Sequence, residues 1–175
     1  MKYLLILFLS VSITEANDII YKRESQVTVL RNTLKFVNKV EYSFGDAEGE
    51  INYFQNNDGT KKRIIKKNDG GSYGSGTSEY FAIEDKLIYY KVLEHSWLGD
   101  TTNRYSLSET IYYFSDDSSG LKTERNLLTY SEDLKEENIF SLENLKKDTL
   151  PTNPSEYSNL FKDFQHLETQ NLDNK

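Results

Sequence analysis

The chain has 175 residues, 37% apolar and 28% charged, with 13 Tyr, 9 Phe and 1 Trp. Those fractions belong to a globular chain with ample core material, not to a disordered or fibrous one. Cysteine is absent, which excludes disulfides, Cys-ligated metal and thiol catalysis, and a net charge of −7 argues against nonspecific nucleic-acid binding, which needs a cationic surface.

Met1-Lys2 makes a short positive start, followed by the apolar run Tyr3–Ile13 and a small residue, Ala16, where a peptidase would cut. That order is the order of a secretory signal peptide. The run is well short of the ~20 residues a spanning helix needs, so no membrane span is expected. A buried N-terminal helix or strand is the alternative for this segment. The expected organisation is a signal at 1–16, a single α+β domain over 17–168 and a disordered polar tail over 169–175. No Cys follows the apolar run to take a lipid, and no Asn-x-Ser/Thr acceptor exists, since Asn153 precedes Pro154. An exported chain lacking both fits a bacterial periplasm or exterior.

Val27, Leu30, Leu34 and Val37 recur at steps of three and four, which predicts a helix over 24–41. The β-branched residues Val27, Thr28, Val29 and Thr33 pull toward strand. From Glu48 to Tyr130 short aromatic runs alternate with turn clusters. Six strands are predicted, at 50–55, 61–67, 77–83, 86–94, 108–115 and 121–130. Between them lie Asn56-Asn57-Asp58-Gly59, Asn68-Asp69-Gly70-Gly71, Glu84-Asp85 and Asp116-Asp117-Ser118-Ser119-Gly120, which are hairpin chemistry. Alternation in 86–94 puts Leu87 and Tyr89 on one face, Ile88 and Tyr90 on the other. Strands apolar on both faces need cover on both, here the 24–41 helix and the C-terminal segment. A short helix is expected near 139–145. Asn153-Pro154-Ser155-Glu156 then starts a helix over 154–168, with Tyr157, Leu160, Phe161, Phe164 and Leu167 at helical spacing. The fold class is α+β: an antiparallel meander of about six strands packed with an N-terminal and a C-terminal helix.

Tyr53-Phe54, Tyr80-Phe81 and Tyr113-Phe114 form a weak repeat. Taken with Glu48-Gly49-Glu50-Ile51-Asn52, Glu79, Lys86-Leu87-Ile88-Tyr89-Tyr90 and Ile111-Tyr112, it resembles a loose group of uncharacterised exported bacterial envelope proteins with Tyr-Tyr-Phe hairpin repeats. The resemblance covers less than half the chain. It implies an exported, sheet-rich architecture and no particular chemistry.

Few constellations point to catalysis. Glu94-His95-Ser96 joins an acid, an imidazole and a hydroxyl, but strand neighbours alternate faces and no G-x-S-x-G elbow supports a nucleophile. His95 is expected at an exposed strand end, and His166 off the apolar stripe of its helix. The glycine-rich 68–76 segment leads into a strand, not into the helix N-terminus a phosphate loop requires. Asp46, Glu48 and Glu50 are spaced by two without the twelve-residue calcium loop, which suggests a solvated acidic turn. No catalytic residue, metal or cofactor is assigned.

Two features suggest a partner surface. Tyr73, Tyr80, Tyr89, Tyr90, Tyr105, Tyr112 and Tyr113 cluster in the hairpins with Trp97 and offer apolar bodies and polar tips, suited to packing or to a half-wet binding face, with Tyr80, Tyr89, Tyr90, Tyr112, Tyr113 and Trp97 the candidate contacts. Lys61, Lys62 and Arg63, with Lys66 and Lys67, read as a charged edge strand or as a site for an anionic polymer. The expected function is therefore a noncatalytic binding or interaction module of the bacterial envelope, with an unidentified envelope partner. The alternatives are a carboxylate-based hydrolase and a structural envelope component.

Overall fold

Hairpin turns set the topology. Because every connection joins sequence neighbours, eight strands lie in chain order in one antiparallel sheet: β1 (Lys35–Phe44), β2 (Ala47–Gln55), β3 (Lys61–Asp69), β4 (Gly74–Ile83), β5 (Lys86–Trp97), β6 (Tyr105–Phe114), β7 (Gly120–Thr129) and β8 (Asp148–Pro151). Three helices accompany it: α1 (Lys2–Thr33), α2 (Glu136–Glu143) and α3 (Pro154–Asp173). These elements come from a computed structural model that describes residues 2–99, 101–115, 119–132 and 135–173, with side chains described from 15 to 171 within those ranges. The expected turn residues Asp116, Asp117 and Ser118, and residues 174–175 of the expected tail, lie outside the described residues. Among the described residues no helix is long and apolar enough to cross a membrane.

The α+β meander is present, with eight strands where about six were expected. All six predicted strands form. The two additions are the outermost, β1 and β8. The helix expected over 24–41 stops at Thr33 instead. Val27 and Leu30 keep the helical step and are buried, with Leu34 packed beside them. Beyond Leu34 the apolar period falls to two, Val40 and Tyr42 turning to the sheet core while Lys39 and Glu41 take the other face. Pairing with β2 then decides the matter in favour of strand. β8 is four residues long and exposed along its length, too short to leave a periodic signal.

The β4–β5 turn is Glu84-Asp85, with φ of 51° and 60°. Two positive φ values make the type I′ geometry that matches strand twist, achieved here without glycine.

Both faces of the sheet are covered. On one, α3 sets Tyr157, Phe164 and Leu167 against Ile51, Tyr53, Ile64, Tyr80, Leu87, Tyr90 and Phe114. On the other, α1 sets Val27 and Leu30 against Phe81, Ile88, Tyr89, Ile111 and Tyr113. A register shift between Phe81 and Ala82 places Leu87 with Tyr90 and Ile88 with Tyr89, not the pairing plain alternation predicts. Each Tyr-Phe pair of the repeat straddles the sheet, although Tyr113-Phe114 does so in the reverse sense of Tyr80-Phe81.

α3 begins as its sequence implies. The Asn153 Oδ1 accepts the Glu156 N–H at 3.0 Å and the Asn153 N–H donates to Glu156 Oε2 at 2.8 Å, a reciprocal capping box. The helix runs to Asp173 rather than ending at 168. Its last turns are tied down, since Tyr53 Oη donates to the Leu167 carbonyl at 2.8 Å and Asn38 Nδ2 to Asn171 Oδ1 at 3.1 Å.

Candidate functional site

The sequence nominated an aromatic face, and the fold buries it. Tyr80, Tyr89, Tyr90 and Tyr113 are buried and Tyr112 is half-buried. Their rings pack on one another across strands, with centroids 4.6 Å apart for Tyr80–Tyr90, 5.7 Å for Tyr89–Tyr113 and 5.7 Å for Tyr90–Tyr112. Burial raises the phenol pKa of each of them, and that of Tyr53 to about 12. The physical reason is the double cover: α1 lies on one face and α3 on the other, and only Tyr112 keeps partial contact with solvent. Of these aromatics Tyr73 and Trp97 stay exposed, at 70% and 41%, edge-on to one another at 6.3 Å, while Tyr105 is buried.

The basic strand is likewise redirected. β3 lies third in the sheet, so Lys61, Lys62 and Arg63 guard no edge. Most of its charges are used within the chain. Lys62 meets Asp85 and Glu168 at 2.7 Å each, Arg63 meets Glu79 at 2.6 Å, and Lys67 meets Glu50 at 2.9 Å. Lys66 lies over the Tyr42 ring at 5.7 Å, while Lys61 is exposed.

Two carboxylates are buried on the α1 face. Glu79 is clamped by Arg31 and Arg63, each at 2.6 Å. Glu109 is held by Lys91 at 2.6 Å and Arg125 at 2.7 Å, with Lys147 at 3.7 Å. Burial pushes the Glu109 pKa up, but the Lys91 bond and the surrounding cations outweigh it and hold the group below its ordinary value.

Glu94, His95 and Ser96 do not converge. Glu94 and Ser96 are exposed on the α3 face, whereas His95 points to the other and is 1% exposed. Its Nε2 lies 2.8 Å from the Ser131 carbonyl oxygen and its ring stacks on Tyr105 at 4.8 Å. The expectation of an exposed His95 is thus overturned, because the segment after β7 folds back over the end of β5. His166 is exposed, as expected.

An open groove of about 680 Å³ lies at the far ends of β1 to β4. Strand register builds it as two rungs. One runs Glu41–Glu50–Lys67–Thr77 and the next Ser43–Glu48–Asp69–Ser75. In the first rung, Lys39 bridges the two carboxylates, 2.8 Å from Glu41 and 3.0 Å from Glu50. The hydrogen bonds of Lys67 and Lys39 pull the Glu50 pKa down to about 2. In the second rung Glu48 and Asp69 stand directly opposite, and no cation bridges them among the described residues. Like charges so placed repel. Asp69 Oδ1 accepts the Gly71 N–H at 2.8 Å, which fixes the adjoining turn. Among the described residues no cluster of three or more His, Asp or Glu could hold a metal ion.

Sequence reasoning passed over this groove. The spacing of Glu48 and Glu50 by two was the available signal, since it puts both on one strand face. Glu41 was hidden inside a predicted helix. No family model, curated protein or solved structure matches the chain.

Proposed function

We propose that this chain is an exported, noncatalytic binding module of a bacterial envelope, and that its groove between β1 and β4 takes a cationic segment of a partner. The observation that carries the reading is the second rung, where Glu48 and Asp69 oppose each other unbridged in an open cleft that also holds Glu41 and Glu50. A Lys or Arg side chain entering there relieves the repulsion and is recognised by charge. An anionic polymer, the partner suggested by the basic strand, meets the wrong sign. Export is supported by the signal-like order of residues 1–16.

Titrating the isotope-labelled protein with a short Arg/Lys peptide, and separately with polyglutamate, tests the groove. Amide shifts at Glu48, Asp69 and Ser75 with the cationic peptide, fading as salt screens them, are expected. Shifts elsewhere, or with polyglutamate alone, would overturn the assignment. For export, the intact mass of material secreted by a bacterial host should lack residues 1–16; retention of Met1 would refute that part.

The hydrolase alternative draws on the same pair, because two carboxylates flanking a bond are the machinery of glycoside hydrolysis. Polysaccharide turnover abolished by Glu48→Gln would favour it over binding alone.

A further inference from the structure

The two edges of the sheet differ. β8 ends the sheet with four residues, one of them Pro151, which has no N–H to offer a further strand. β1 ends it with ten residues, and among the described residues no strand pairs along its outer side. The first part of β1 is protected by Lys35 and by the register shift between Phe36 and Asn38. From Asn38 onward the strand is regular.

That regular part is self-complementary. Lys39 and Glu41 flank Val40 and share one face. In an antiparallel pairing of two copies about a two-fold axis at Val40, each Lys39 stands opposite the partner's Glu41, and Asn38 opposite the partner's Tyr42. Moving the axis to Glu41 sets Glu41 against itself, and moving it to Lys39 sets Lys39 against itself, both repulsive. Only the Val40-centred register matches both charges to opposite ones. Each Lys39 then lies between its own Glu41, at 2.8 Å in the single chain, and the partner's. The strongly exposed Phe44, at 85%, and the half-exposed Phe36, at 57%, reach the two ends of this ladder, where the register shift stops it.

We propose that β1 pairs antiparallel with β1 of a second copy of this chain, joining two sheets into one through Val40, Lys39 and Glu41. The interface is isologous, as a two-fold axis requires, and small, so dimerisation depends on concentration. Glu41 also lines the groove, so the axis brings two grooves together on one face of the joined sheet. The pairing stands apart from the binding reading, since it needs no ligand: one is tested by mass, the other by peptide titration.

Sedimentation equilibrium over a range of concentrations should show the wild type passing from monomer to dimer. Lys39→Glu and Glu41→Lys each turn both symmetric pairs repulsive and should weaken dimerisation roughly tenfold. Mixed in equal amounts, the two variants restore opposite charges and should dimerise again. In the wild type, hydrogen exchange of the Glu41 amide should slow as concentration rises, a readout that needs no variant; the Lys39 N–H already donates to Asn38 Oδ1 at 2.8 Å in the single chain, a bond that pairing exchanges for one to the second copy. A wild type monomeric at every concentration, or a mixture no stronger than its components, would overturn the proposal.

Discussion

Tyr42 stands directly opposite Gly49 in the β1–β2 ladder and fills the space a side chain at Gly49 would need. Its hydroxyl donates across to the Lys67 carbonyl at 3.1 Å, so one ring covers the bare backbone of the neighbouring strand. Glycine inside a strand normally weakens it; here it makes room for an aromatic.

Gly49→Ala should therefore destabilise the fold by about 1–3 kcal/mol, because the added methyl meets both the ring and the Lys67 carbonyl. Chemical denaturation measures it. A Gly49→Ala/Tyr42→Ala double variant less destabilised than the sum of the singles would show that the clash is with the ring.

Acid should act on the groove. Glu50 has its pKa lowered from 4.5 to about 2, first by the Lys67 hydrogen bond and then by that of Lys39. A carboxylate with a depressed folded-state pKa contributes stability above its unfolded value, and that contribution disappears as pH falls toward the folded one. The stability of the wild type should thus drop between pH 4.5 and about 2 in part through Glu50. Glu50→Gln should flatten the loss in that window, as followed by circular dichroism. An unchanged slope would refute the assignment.

The two histidines should behave oppositely. His95 is enclosed, stacked on Tyr105 and bonded to the Ser131 carbonyl, so His95→Ala should cost roughly 2–4 kcal/mol. His166 is exposed near the end of α3, and His166→Ala should change stability by less than about 0.5 kcal/mol. Equal effects in paired melting curves would contradict the burial pattern.

Docking of α3 rests on one stripe. Phe164 is fully buried, and Phe164→Ala should cost about 3–5 kcal/mol. Tyr53→Phe keeps the packing but loses the bond to the Leu167 carbonyl, for about 1 kcal/mol. Phe161, only partly buried, should fall between them.

Local chemistry was enough for the middle of the molecule. Asp-Gly and acidic turns bounded six strands that all form, and the Asn153-Pro154-Glu156 cap marked where α3 begins, because turns and caps act within a few residues of themselves. The doubly apolar strands also announced that helices must lie on both faces.

What tertiary structure decided is of another kind. Whether 35–44 is helix or strand depended on β2, a partner whose presence no local period encodes. Whether the tyrosines form a surface or a core depended on α1 and α3 arriving together, and whether the lysines of β3 guard an edge depended on β2 and β4 pairing along its two sides. The groove arises only when Glu41, Glu48 and Asp69 from three strands are set side by side by register. Composition and turn residues act along the chain, whereas burial, edges and charge neighbours are properties of which strand lies next to which.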